Sequence, residues 1–420
     1  MIQSIILTGL ILITSVIAGQ PQSVKATQKW VKKNGHTIIK DFAHLLSMPN
    51  VASDKVNIRR NAKYISNLFK KRGFDMQLLE TEDANPIIYG EYKTPGAKRT
   101  LCFYVHYDGQ PVDLIQWTHG PFDPVLYDAS MDAGGKPIPL PMKQTKINPE
   151  WRLYARSAGD DKAPIITILN AVDALQSMKI GFTSNIKLFF EGEEEAGSTN
   201  LEAHLTKHKA LLDDIDIWLF CDGPMHQSRQ PQLVFGVRGV TGMEITVYGA
   251  TRSLHSGHYG NWAPVPGQSL AHLIATMKDE NGKVLIDGFY DTVVPLSEFE
   301  RFELSKIPDV DRQLKKELGL AYTEGNGQSI NERLLLPSLT IKGLSSGNVG
   351  KKARNVIPNT ATAAIGVRLV KGNDPKDMLD KVEAHIRSQG FHIVNDEPDM
   401  ATRRKYPKIA KIDQIGRAHV

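Results

Sequence analysis

Apolar positions fall into two alternating rhythms along the first half of this chain. Ile58, Ala62, Ile65, Leu68 and Phe69 recur at helical spacing across residues 54–72. Ser53 or Asp54 suits the start of that helix, and Gly73 fits just past its end. Residues 164–177 repeat the pattern, with Pro164 in the first turn and Ile165, Ile166, Leu169, Val172 and Leu175 on one face. Short runs at 74–79, 87–92, 101–105, 186–190 and 215–221 read as strands, with a further helix near 199–209. Strands alternating with helices predict an α/β domain, a mostly parallel sheet with helices on both faces.

The pattern changes near Gly236. A long strand is predicted within 237–250, a helix at 266–278, strands at 339–341 and 361–370, a helix at 375–388 and a last strand at 391–394. That β-α-β-β-α-β order predicts a separate α+β, ferredoxin-like module at 237–397, inserted into the first domain, whose opening part is 19–236. Residues 398–414 are expected to begin the return to the first domain, and residues 282–335 give no clear rhythm.

The segment from Ile5 to Ala18 is apolar but too short to span a bilayer comfortably. Val16-Ile17-Ala18 is a small-residue ending suited to cleavage, so residues 1–18 are expected to be a signal peptide. A periplasmic or secreted mature protein follows, with no membrane segment. The 420 residues are 41% apolar and 23% charged, ordinary for a globular chain with room for two or three domains. A formal charge of +5, with scattered basic pairs, argues against a nucleic-acid partner. Cys102 and Cys221 fall in buried strand segments; they read as inert thiols, with a disulfide open to them in an oxidising compartment.

Candidate chemistry gathers where strands end. Val105-His106-Tyr107-Asp108 follows one strand, and His106 and Asp108, two apart, point to the same side. A histidine ligand needs its other ring nitrogen held, which Asp108 can do, although many such pairs are plain loops. Asp160-Asp161 precedes a helix; the pair suits the helix dipole or a carboxylate bridging two cations. Phe189 to Ser198 places Glu191, Glu193, Glu194 and Glu195 after another strand. Such a run is an exposed turn unless a cation neutralises it. Asp222 follows a fourth apolar run. His and acid at four successive strand ends predict one site at the C-terminal edge of a sheet. Nitrogen and oxygen donors suit zinc, with manganese or cobalt as other options.

In order, the motifs His-x-Asp-x-x-Pro, Asp-Asp-Lys, Glu-Gly-Glu-Glu-Glu-x-Gly-Ser, Asp and His-Ser-Gly resemble those of the dinuclear zinc exopeptidases and amidases. That family includes carnosinase-type dipeptidases, aminoacylases, glutamate carboxypeptidase and succinyl-diaminopimelate desuccinylase. The likeness runs from about residue 30 to 410, nearest the dipeptidase branch. It implies a catalytic domain followed by a lid and dimerisation module. It implies zinc held by His106, Asp160, Glu195 and Asp222, two ions per subunit, with Asp160 bridging them and Asp108 orienting His106. Glu194 matches the general base, His255 the lid histidine that reaches the partner's site, and Arg368 the residue for the substrate's carboxylate. The expected partners are a small peptide or acyl-amino-acid substrate and a second copy of the chain.

The implied activity is hydrolysis of a peptide bond in dipeptides or similar small substrates. An N-acyl-amino-acid amidase or a non-catalytic exported binding protein is the alternative.

Three departures stand out. The family's Gly-rich approach to Asp-Asp-Lys here reads Ala155-Arg156-Ser157-Ala158-Gly159, and Lys162 is followed by Ala163. The loss of three glycines predicts a backbone that avoids left-handed angles. His258 is an additional lid-loop histidine, expected to be exposed or structural. The family's closing strands and final histidine ligand do not follow; Ile415 to Val420 reads like a translated sequencing-library adapter, so weak binding at the second zinc is expected.

Overall fold

A computed structural model describes residues 20–223, 225–230 and 232–414. The segments read as a signal peptide and as an appended hexapeptide lie outside these residues. The chain divides into two compact units between residues 224 and 225.

The first unit opens with helices α1 (Gln20–Leu46) and α2 (Lys55–Lys70). Asp54 caps α2 by accepting the Asn57 N–H, and Ile58, Ala62, Ile65 and Phe69 bury the face the periodicity predicts. Strands β1 (Asp75–Leu79), β2 (Ile87–Tyr92) and β3 (Thr100–His106) follow. A small sheet of β4 (Val125–Tyr127), β5 (Pro137–Ile138) and β6 (Arg152–Tyr154) precedes α3 (Lys162–Ser177), β7 (Asn185–Glu191), α4 (Leu201–Lys207) and β8 (Ile217–Phe220).

The main sheet has the order β1-β2-β7-β3-β8. It is mixed: β1, β2 and β7 pair antiparallel, while β7, β3 and β8 run parallel. Register in the parallel half sets His106 opposite Glu191 and Tyr104 opposite Phe220. Three strands therefore end side by side. Phe69, Phe190, Val105, Ile165 and Leu169 form the core beneath that edge. Cys102 is buried in β3, Cys221 is half-buried just past β8, and both are free thiols.

The second unit contains β9 (Gly239–Tyr248), β10 (Leu254–His255), α5 (Ser256–Tyr259) and α6 (Pro266–Ala275). Three short helices follow: α7 (Glu298–Leu304), α8 (Asp311–Glu317) and α9 (Ile330–Leu334). Then come β11 (Ser338–Ser345), β12 (Val356–Ile357), β13 (Thr360–Leu369), α10 (Pro375–Ser388), β14 (His392–Val394), α11 (Met400–Lys405) and β15 (Ile409–Gln414). The sheet order is β11-β13-β9-β15-β14. This is the expected β-α-β-β-α-β frame with one strand added. β15 lies between β9 and β14, pairing Ile409 with Tyr248 and with His392. Residues 409–414 thus complete this second sheet, where the sequence predicts a return to the first domain. The physical reason is the open β9 edge, which supplies the ladder and lets Ile409 and Ala410 be buried.

Among the described residues, no helix is long and apolar enough to cross a membrane.

Candidate metal centre

His106 closes β3 and is wholly buried. Its Nε2 lies 2.8 Å from Asp160 Oδ1, and 3.8 Å from both Asp222 Oδ1 and Glu194 Oε2. Its Nδ1 is 3.3 Å from the Asp108 carbonyl and 3.4 Å from the Asp108 carboxylate. With Nδ1–H donating to Asp108, the Nε2 lone pair faces the acids, the orientation a metal ligand needs. One ligand atom each from His106, Asp160 and Asp222 falls within 4.8 Å of the others.

The local fold explains this meeting. Asp222 follows β8, and the Cys221 N–H donates to the Tyr104 carbonyl at 2.9 Å, so the chain leaves the sheet beside His106. Asp160 is joined to Asp161 by a cis peptide at the mouth of α3. Asp161 stands at the N-cap of α3 but makes no side-chain cap bond; its carboxylate instead accepts the His106 backbone N–H at 3.2 Å.

Asp108, also wholly buried, accepts the backbone N–H groups of Glu194 at 3.2 Å and Glu195 at 3.1 Å. It therefore holds the glutamate turn as well as touching His106. Glu195 is not gathered into the ligand set; its carboxylate accepts a hydrogen bond from Gln110 at 2.5 Å. His255 and Arg368 are exposed on the second unit, on β10 and β13. His255 Nδ1 accepts the Gly257 N–H, and the His258 ring lies 4.8 Å from that of His255.

Crowded carboxylates shift one another. Burial raises Asp161 to about 8, with Asp222 and Asp160 adding to it. Burial likewise raises Glu194 to about 7, aided by Asp222 and Glu195. Asp222 also sits above its ordinary range through burial. For His106, burial favours the neutral ring, but Asp108, Asp161 and Asp222 outweigh it and raise it to about 10. A cluster that binds protons this strongly is one a cation satisfies better, and its nitrogen and oxygen donors fit a divalent metal.

Several residues escaped the sequence reading. Glu191 and Glu193 are buried, not exposed loop acids. Glu191 ends β7 and accepts the Tyr104 hydroxyl at 2.6 Å. Glu193 accepts the Asn85 N–H at 2.6 Å, Asn200 Nδ2 at 2.8 Å and Lys55 Nζ at 3.3 Å. Asn50, buried under the His106 loop, donates to the Tyr107 carbonyl and to Ser157 Oγ. None of these carries a local sequence signal, because each partner is distant along the chain. The left-handed angle excluded above is present: Ser157 has φ 61°. Its hydroxyl sits between Asn50 and the Asp108 carbonyl, and those bonds hold the angle where a glycine is usual.

Residues 235–393 match the family model of the peptidase dimerisation domain. A Cys-Gly metallodipeptidase of Candida albicans is 29% identical, the match covering 82% of this chain and 71% of that protein. A Beta-Ala-His dipeptidase of Homo sapiens is 28% identical over 78% of this chain and 62% of its own length. The solved structure of an M20 family metallo-carboxypeptidase from Sulfolobus solfataricus is 30% identical with a TM-score of 0.65, covering 84% of this chain and 76% of that one. The expected periplasmic or secreted location does not stand: the matched dipeptidases come from Candida albicans and Homo sapiens, and neither supports it.

Proposed function

Because the chain belongs to the M20 family of metallopeptidases, metal-dependent hydrolases, we propose that it cleaves the peptide bond of dipeptides and similar small substrates bearing a free carboxylate. The observation that carries this reading is the convergence of His106, Asp160 and Asp222, with Glu194 3.8 Å from the same imidazole nitrogen. The Cys-Gly and Beta-Ala-His dipeptidases among the relatives support the substrate class.

In this reading His106, Asp160 and Asp222 hold a divalent cation, zinc by the chemistry of the donors, and Glu195 serves a second ion. When bound, the metal acidifies water and polarises the scissile carbonyl. Glu194 takes the proton of the attacking water and passes it to the leaving amine. Asp108 Oδ1 faces both the His106 ring and the Glu194 N–H, and Oδ2 accepts the Glu195 N–H, so ligand and base keep their spacing. Arg368, exposed on β13, offers a bidentate fork for the substrate's carboxylate, which favours exopeptidase over endopeptidase action. His255 is assigned to the developing oxyanion. The match of residues 235–393 to a dimerisation domain supports a homodimer formed through the second unit.

A panel of dipeptides, N-acyl-amino acids and longer peptides, assayed with zinc-loaded protein, tests the reading. Turnover of dipeptides above the other classes is expected. Preference for acyl-amino acids would reassign the protein to amide hydrolysis, and no metal-dependent turnover of any class would overturn it.

A further inference from the structure

The segment that gave no rhythm in the sequence, 282–335, walls a cavity of about 270 Å³ in the second unit. Its floor is Pro337 and Leu339 at the start of β11, both buried. Leu314, Leu318 and Leu334, from α8, α9 and the loop between them, form apolar walls. Leu318 and Leu334 remain 65% and 43% exposed, so their apolar surface is left to solvent.

The polar groups at this cavity are unbalanced. Lys278 is paired with Glu324 at 2.7 Å, and Asp311 accepts the Ile330 N–H at 3.0 Å. Two guanidiniums have only neutral acceptors. Arg333 donates to the Gly282 carbonyl and the Gln328 side chain, both at 3.3 Å. Arg238 donates to the Leu336 carbonyl at 2.9 Å and Ser338 Oγ at 3.0 Å, and its Nε–H is buried without an acceptor. Burial pushes Arg238 below its ordinary range, and the positive charge of its neighbour Arg368 adds to that. A partly buried guanidinium without a counter-anion, beside apolar walls, is a costly arrangement that an anionic ligand relieves. Pockets for small molecules have this character, mostly apolar with a few placed polar groups.

We propose that this cavity binds a small monoanionic amphiphile, a carboxylate with a medium-length apolar body. The carboxylate meets Arg238 and Arg333, and the body lies along Leu314, Leu318 and Leu334. Of the rim acids, Glu324 is paired with Lys278 and Asp311 already accepts the Ile330 N–H, so a zwitterion's ammonium group gains less than its carboxylate does.

The test is calorimetric titration of the full chain with octanoate, 1-octanol and free leucine, with thermal unfolding alongside. Octanoate is expected to bind at least tenfold more tightly than octanol or leucine and to raise the unfolding temperature. Arg238→Gln and Arg333→Gln, checked for folding by circular dichroism, are each expected to weaken octanoate at least tenfold and leave octanol unchanged. Equal binding of octanoate and octanol would show an apolar cavity only and overturn the proposal. So would tight binding of leucine, or no octanoate binding by the wild-type chain. The comparison of ligands on wild-type protein decides the matter even if a variant fails to fold, and it needs no metal or turnover.

Discussion

Asp108 is wholly buried, and a buried carboxylate has to be supplied with donors. It finds them in the turn that carries Glu194 and Glu195, and in the His106 ring. Asp108→Asn presents an amide to those N–H groups and loses part of that hold. Zinc affinity, read by competition with a chromophoric chelator, should fall about 10–100-fold, as for other residues that orient a ligand. Unchanged affinity would remove Asp108 from this role. Glu193 braces the same turn from below, with the Asn85 N–H, Asn200 and Lys55 as donors. The Lys55 contact is largely exposed and contributes little. The buried bonds matter more, and Glu193→Gln should cost about 1–3 kcal/mol in urea unfolding. An unchanged midpoint would contradict it. Both residues show where residue-level reading stops. The motif Glu-Gly-Glu-Glu-Glu announces acids in a row, but only Asn85 and Asn200, brought in by the fold, tell a brace from a surface charge.

At the scale of elements, the site exists because β7, β3 and β8 run parallel and finish together. The strands were legible from their apolar runs, and so was the clustering of His and acid at their ends. The antiparallel half of the sheet was not, since β1 and β2 carry no local mark of direction. Close packing under the edge makes a further prediction. A Cβ on Gly192 would lie 2.6 Å from Tyr107 Oη and 2.7 Å from its ring carbon, and that buried tyrosine donates to the Pro86 carbonyl at 2.5 Å. Gly192→Ala should therefore destabilise the first unit by about 1–3 kcal/mol in urea unfolding; a neutral result would mean the ring yields.

His204 on α4 gives a pH signature. It is buried, donates Nε2–H to the Asn85 carbonyl at 3.2 Å and accepts from Thr81 at 3.0 Å, so burial holds its pKa below the ordinary value. The stability tied to the neutral ring is complete above the unfolded value near about 6.5 and is lost as pH falls through the depressed folded value. The urea midpoint should drop between about pH 7 and 5, less so in His204→Gln. Equal slopes would contradict the assignment. The two Ser-x-x-Glu boxes at Ser297 and Ser329, which start α7 and α9, were available signals in a segment that otherwise showed no rhythm.

For the whole molecule, the sequence conveyed the change of pattern near Gly236 and the main strands and helices on either side of it, but not the β4-β5-β6 sheet or the helices α7 to α9. It missed that β15 belongs to the second sheet, because strand partnership is decided by which edge is open, not by the strand's own residues. The larger consequence is electrostatic. His106, Asp160, Asp161, Glu194 and Asp222 crowd one sheet edge, and three of the acids retain protons above their usual range. The direct measurement is dipeptide hydrolysis by the zinc-loaded chain, compared with the chelated chain and with zinc-loaded Glu194→Gln, while bound metal is counted in each sample. The account predicts turnover by the loaded chain and its loss on chelation. It predicts a fall of about 10²–10⁴-fold in Glu194→Gln with metal still bound. Chelator-resistant hydrolysis, or full turnover by Glu194→Gln, would contradict it.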